Sequence, residues 1–174
     1  IHADHISALN ELNKRTNCIR VMGEKSKSEV IDLRIKDGEK IKVEEVELQA
    51  IYTPGHTDCS YSFLMNDRVF TGDTLLINGS GRTDFQNGNA YDAYDSIFNK
   101  LLKLPEKTLV FPAHDYNGKK FSTIENEKNN NPRLQVSSKE EYADIMNNLN
   151  LANPKMMDVA VPANVKGLTL DNIN

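Results

Sequence analysis

Tryptophan is absent from this chain of 174 residues, and cysteine occurs only twice. Cys18 and Cys59 cannot build a disulfide framework, so a reducing compartment is expected. No apolar run approaches the roughly 18–20 residues that a bilayer-spanning helix needs, which argues against a membrane protein. There is no excess of basic charge either. Lys and Arg number 21 against 25 Asp and Glu, a formal net charge of −4, so no basic face for nucleic acid is expected. Apolar residues make up 39% and charged residues 26%, which excludes a disordered or fibrous chain. An initiator methionine is also missing: the chain opens directly on Ile1-His2-Ala3-Asp4-His5, and we expect a fragment whose N-terminal part lies elsewhere. Its length suits one domain over residues 1–174.

Periodicity places the elements. Ile6, Leu9 and Leu12 suit one face of a short helix over 6–15. Strand patterning follows at 18–22, 31–35, 41–43 and 46–52, and the turn Asn66-Asp67 joins a hairpin over 61–70. The polar, Gly-rich stretch 78–89 reads as a loop on the active face. An amphipathic helix follows over 94–102, then a strand at 108–111. Ser122 with Glu125 and Ser138 with Glu141 are candidate capping boxes for two later helices. The tail, 154–174, has little periodicity and is expected to wrap the surface. Hairpins first and helices interspersed predict an α/β sandwich rather than a doubly wound sheet.

The four histidines are the most informative residues. His2-x-Asp4-His5 packs imidazoles and a carboxylate closely enough to hold a divalent metal, although Asp4 would equally serve as a helix N-cap. Pro54-Gly55-His56-Thr57, Phe70-Thr71-Gly72-Asp73 and Phe111-Pro112-Ala113-His114-Asp115-Tyr116 each end a strand in a chemistry-bearing residue. Singly, each is explained as a turn. Jointly, if the loops share one edge, they form a cluster that is costly to bury without a metal or hydrogen bonds.

These four motifs, in this order, resemble the metallo-β-lactamase superfamily. The segments Gly79-Ser80-Gly81-Arg82-Thr83-Asp84-Phe85-Gln86, Asn131-Pro132-Arg133-Leu134 and Val161-Pro162-Ala163-Asn164 narrow the resemblance to its persulfide dioxygenases. The family usually has Cys where Ser80 stands, and often a basic residue at Asn78; both positions bear on substrate contacts.

The resemblance implies an αββα sandwich, incomplete at its N-terminus. It also implies a non-haem Fe(II) enzyme that uses O2 to oxidise the outer sulfur of glutathione persulfide, releasing sulfite and glutathione. One iron per chain would be held by His56, Asp73 and a histidine that the pattern places just before Ile1. His2, Asp4, His5 and His114 would surround that metal or hold a second one. Tyr116 and Asp84 are implied as catalytic, and Arg82, Tyr116 and Arg133 as substrate contacts, with Arg82 equally suited to an ion pair with Asp84. A homodimer is the candidate assembly. The bacterial cytoplasm or the mitochondrial matrix is the expected compartment. Two readings stand beside this one. A hydroxyacylglutathione hydrolase would use two Zn, or mixed Zn and Fe, to activate hydroxide. An inactive fragment would keep the histidines as a hydrogen-bonded cluster.

Overall fold

Alternating apolar residues build the strands, and the structure, a computed structural model, describes residues 1–85 and 87–169; Gln86 and the last five residues lie outside. In chain order the elements begin with α1 (Leu9–Thr16), β1 (Val21–Gly23), β2 (Leu33–Ile35), β3 (Lys40–Val43) and β4 (Val46–Tyr52). Then come β5 (Tyr61–Leu64), β6 (Arg68–Gly72), β7 (Leu75–Leu76), β8 (Gly79–Ser80) and α2 (Ala90–Tyr94). The chain continues through β9 (Leu109–Pro112), β10 (Ser122–Thr123), α3 (Ile124–Asn130), α4 (Lys139–Asn147) and α5 (Met157–Lys166). It divides into two compact units, residues 36–150 forming one and residues 1–35 with the stretch from Leu151 the other.

The larger unit is built on a mixed six-stranded sheet in the order β10-β9-β6-β5-β4-β3. Val69 of β6 and Val110 of β9 are register partners and both fully buried. They point into a core with Leu75, Ile97, Leu101, Ile124, Tyr142 and Met146, contributed by β7, the continuation of α2, α3 and α4. The alternate residues Phe63, Phe70 and Phe111 are cross-strand partners on the opposite face. All neighbours in this sheet are antiparallel except β6 and β9, so β4, β6 and β9 run the same way and end at the same edge.

In the smaller unit β1 and β2 form a parallel pair. Arg20 ties the start of β1 to Asp32 through its backbone N–H, Nε and Nη2 at 2.8–2.9 Å.

Several expected boundaries move. The expected helix at 94–102 begins earlier, at Ala90, because Asn89 accepts the N–H groups of Tyr91 and Asp92; it then widens into a π-helical stretch, Asp95–Lys100. The cap of α3 is Thr123, whose hydroxyl accepts from Asn126 N–H, not Ser122, which belongs to β10. Ser138 does cap α4. Asp4 caps nothing: α1 starts after Ala8, without a side-chain cap. The expected wrapping tail contains α5, a helix that Pro162 interrupts in sequence pattern but not in structure. The expected loop at 78–89 contains β8, which pairs with β7 in a short hairpin.

Candidate metal centre

The parallel ends of β4, β6 and β9 deliver three of the expected residues. His56 follows β4 on the Pro54-Gly55 turn. Ser96 Oγ donates to the Pro54 carbonyl (2.6 Å) and Asn89 N–H to the Gly55 carbonyl (2.8 Å), so the turn is pinned against the start of the α2 helix. Gly55 is required there: its φ is +140°, and a Cβ would sit 2.3 Å from Ala93 Cα. Asp73 follows β6 after Gly72, which takes a left-handed φ of +53°. His114 follows β9, where Ala113 N–H donates to the Gly72 carbonyl at 3.0 Å and locks the two strand ends together.

The three side chains converge. His56 Nε2 lies 3.8 Å from Asp73 Oδ2, and His114 Nε2 lies 3.1 Å from Asp73 Oδ1. The Asp73 side chain is only 14% exposed. Two atoms bound to one ion at about 2.0–2.2 Å cannot stand more than roughly 4.4 Å apart, and the His56–Asp73 spacing lies inside that limit.

The donor chemistry fits as well. His56 Nδ1 lies 2.8 Å from the Arg82 carbonyl, an acceptor only, so Nδ1 carries the hydrogen and the Nε2 lone pair faces Asp73. A ligating imidazole held through its other nitrogen in this way is the usual support of a metal site. Sequence reading missed this carbonyl because a backbone atom leaves no residue signature. Its trace is Gly81, where a Cβ would stand 1.9 Å from the Asp73 carbonyl oxygen and 3.1 Å from His56 Nδ1.

The remaining expected residues fall as follows. Tyr116 is 89% exposed, with its ring 4.6 Å from that of His114. Arg82 grips Asp84 with Nε and Nη2 at 2.7 Å each, and its guanidinium lies 4.2 Å from the centre of the Phe85 ring. That fork holds the Asp84 carboxyl below the usual carboxylate range. Arg133 is half-buried and donates to the Ser80 carbonyl; burial pulls its guanidinium down from its ordinary value. Ser80 itself is buried, bonded to the Tyr142 hydroxyl at 2.9 Å. Cys59 is a buried thiol beside Thr57.

The smaller unit gathers the other motif. His2, Asp4 and His5 offer three ligand atoms within 4.8 Å of one another, and His5 Nδ1 is 2.9 Å from Asp4 Oδ1. Asn164 shapes this loop: its Nδ2 donates to the His2 and His5 carbonyls at 3.0 and 2.9 Å, and its Oδ1 accepts from Ser7 N–H at 2.8 Å. The sequence held that signal in Val161-Pro162-Ala163-Asn164, though not its purpose.

Comparison with known proteins settles the family. The metallo-β-lactamase superfamily model matches residues 1–114. The chain belongs to this superfamily. The crystal structure of ETHE1 from Myxococcus xanthus is similar to it with a TM-score of 0.91 and 48% identity, covering 94% of this chain and 72% of that one. The persulfide dioxygenase ETHE1 of Homo sapiens, a mitochondrial protein, is 45% identical over 95% of this chain. Hydroxyacylglutathione hydrolase of Dictyostelium discoideum is more distant, at 31% identity over 74% of this chain and 52% of the relative. The chain spans 65% of the length of the human relative. The α/β fold of this metallo-β-lactamase chain is therefore the expected one, and metal binding comes with the superfamily. Among the described residues, no helix is long and apolar enough to cross a membrane.

Proposed function

We propose that this metallo-β-lactamase chain carries the metal centre of a glutathione persulfide dioxygenase. His56 and Asp73 are two ligands of a single Fe(II). The observation that carries the reading is the His56–Asp73 pair at the ends of two parallel strands, with its ligand atoms 3.8 Å apart and His56 fixed in its Nδ1–H tautomer by the Arg82 carbonyl. Likeness to ETHE1 proteins over nearly the whole chain selects the reaction.

Bound there, a non-haem iron with two His and one carboxylate supplies open positions for a sulfur and for O2. In the net reaction the outer sulfur loses four electrons to O2. With one water, glutathione persulfide becomes glutathione and sulfite, and two protons are released. Asp73 contributes a fixed negative charge that favours a more oxidised metal. His114 brings Nε2 to 3.1 Å from the other oxygen of the same carboxylate. The exposed Tyr116 hydroxyl is the group available to orient an incoming persulfide beside His114. Arg133 is the proposed contact for a glutathione carboxylate, with Arg82 held at the rim by Asp84. A homodimer in the bacterial cytoplasm or mitochondrial matrix completes the proposal.

The test is metal content and O2 uptake of the intact protein. One iron per chain, with O2 consumed and sulfite formed from glutathione persulfide, supports the reading. Two zinc ions with thioester hydrolysis and no O2 uptake would establish the hydrolase instead.

A further inference from the structure

The β7–β8 hairpin joins Asp73 to Arg82, so both ends of this short excursion serve the proposed metal centre. Its return arm is gripped at three successive residues. Asn78 N–H donates to Glu127 Oε2 (2.8 Å), Asn131 Nδ2 to the Gly79 carbonyl (2.9 Å) and Arg133 Nη1 to the Ser80 carbonyl. Glu127 is the centre of this grip. It is fully buried, as is Asn131. Its Oε1 accepts from Ser122 Oγ and from Asn126 Nδ2 (3.1 Å), and its Oε2 also accepts from Asn131 Nδ2 (2.8 Å). Asn131 in turn accepts Arg133 N–H on Oδ1 at 3.1 Å.

A carboxylate buried among neutral donors is expensive, and an apolar residue would fill the space at lower cost. What only a carboxylate offers is two oxygens that each accept from two donors. One of those donors is the amide of Asn78, a non-glycine residue held at a left-handed φ of +56°. Asparagine tolerates that conformation in a turn, and the bond to Glu127 fixes the amide there.

The geometry points to Glu127 as a positioning residue for His56: it holds the hairpin tip, and thereby the arm that presents the Arg82 carbonyl to His56 Nδ1. This rests on the reading of His56 as a metal ligand. Released from Glu127, the arm drifts, the carbonyl leaves Nδ1 and His56 populates both neutral tautomers. The Nε2–H tautomer then turns a hydrogen rather than a lone pair toward Asp73.

Glu127→Gln tests this, because it keeps the shape but sets an NH2 group against neighbouring donors. In the metal-free intact protein, side-chain 15N–1H NMR is expected to show His56 as the Nδ1–H tautomer, and a mixture in the variant. Anaerobic titration with Fe(II) against a chelator is expected to show about tenfold weaker binding, the low end for lost support of a ligand. Asn131→Ala, which removes the bond to the Gly79 carbonyl, should move both readouts the same way and serves if Glu127→Gln does not fold. A lowered melting temperature with unchanged tautomer and unchanged Fe(II) affinity overturns the inference and leaves Glu127 as support for the fold alone. If the wild-type protein binds no Fe(II), the metal reading fails by itself, and the tautomer comparison still decides the role of Glu127.

Discussion

Gly81→Ala places a methyl group where the structure has no room. The new Cβ would stand 1.9 Å from the Asp73 carbonyl oxygen and 3.1 Å from His56 Nδ1. The first neighbour is backbone and cannot swing aside. Restoring ordinary contact requires the two segments to separate by roughly 1.5 Å. The bond from His56 Nδ1 to the Arg82 carbonyl, now 2.8 Å, lies one residue from the insertion. A shift of that size carries it past the length at which a hydrogen bond survives. Two effects follow. Overpacking costs about 1–3 kcal/mol of stability, read by denaturant unfolding of the metal-free protein. Loss of the bond that orients a ligand costs about 10–100-fold in Fe(II) affinity, read by anaerobic titration. A Gly81→Ala protein with wild-type stability and wild-type Fe(II) affinity would refute the reasoning, because it would mean that the Asp73 and Arg82 segments are free to move apart.

Asp73→Asn should abolish Fe(II) binding in elemental analysis, since a neutral amide replaces the carboxylate that lies between two imidazoles. Removing Arg133 by Arg133→Ala should raise KM for glutathione persulfide about tenfold to hundredfold, the weight of one charge-assisted contact, and by more than it alters Fe(II) affinity; Tyr116→Phe should act on kcat instead. In the smaller unit the Arg20 guanidinium lowers the Asp32 carboxyl from 3.8 to about 2. A carboxyl depressed in the folded state adds stability that is present above its unfolded pKa and is lost as pH falls from about 4 toward 2. Unfolding curves across that range should show a steeper acid loss in the wild type than in Asp32→Asn.

Strand ends were legible in the sequence because each couples an apolar run to a turn residue and a chemistry-bearing side chain. Pro54-Gly55 before His56 and Gly72 before Asp73 are turn chemistry that any strand reading finds, and the structure puts left-handed or otherwise glycine-demanding backbone at both. What the sequence did not carry is a tertiary bond made by backbone. The Arg82 carbonyl, the Asn78 amide and the His2 and His5 carbonyls have no residue identity, so nothing marked Glu127 as the partner of the Asn78 amide, and Asn164, though part of a motif, carried no sign of the loop carbonyls that it serves. The α3 cap was misplaced by one residue for a related reason. Ser122 and Thr123 are both good caps, and only the pairing of Ser122 with Val110 on β9 decides between them. In α5, the apolar periodicity is too weak and Pro162 too prominent for a helix to be read.

The same geometry explains why Gly81-Arg82-Thr83-Asp84-Phe85 is so distinctive a string without any of its side chains facing the metal as a ligand. Gly81 permits the approach of two backbones, and Arg82 supplies a carbonyl to His56 and a guanidinium to Asp84 and Phe85. Thr83 is buried, and its carbonyl crowds Gly88, where a Cβ would come within 2.5 Å. These contacts pack the segment on both sides of the backbone oxygen that meets His56 Nδ1. Asp84 holds the Arg82 guanidinium in this arrangement, and its charge is also felt at His56. Asp84→Asn should accordingly disturb Fe(II) binding less than Gly81→Ala does, since it weakens a half-exposed ion pair and leaves the carbonyl in place.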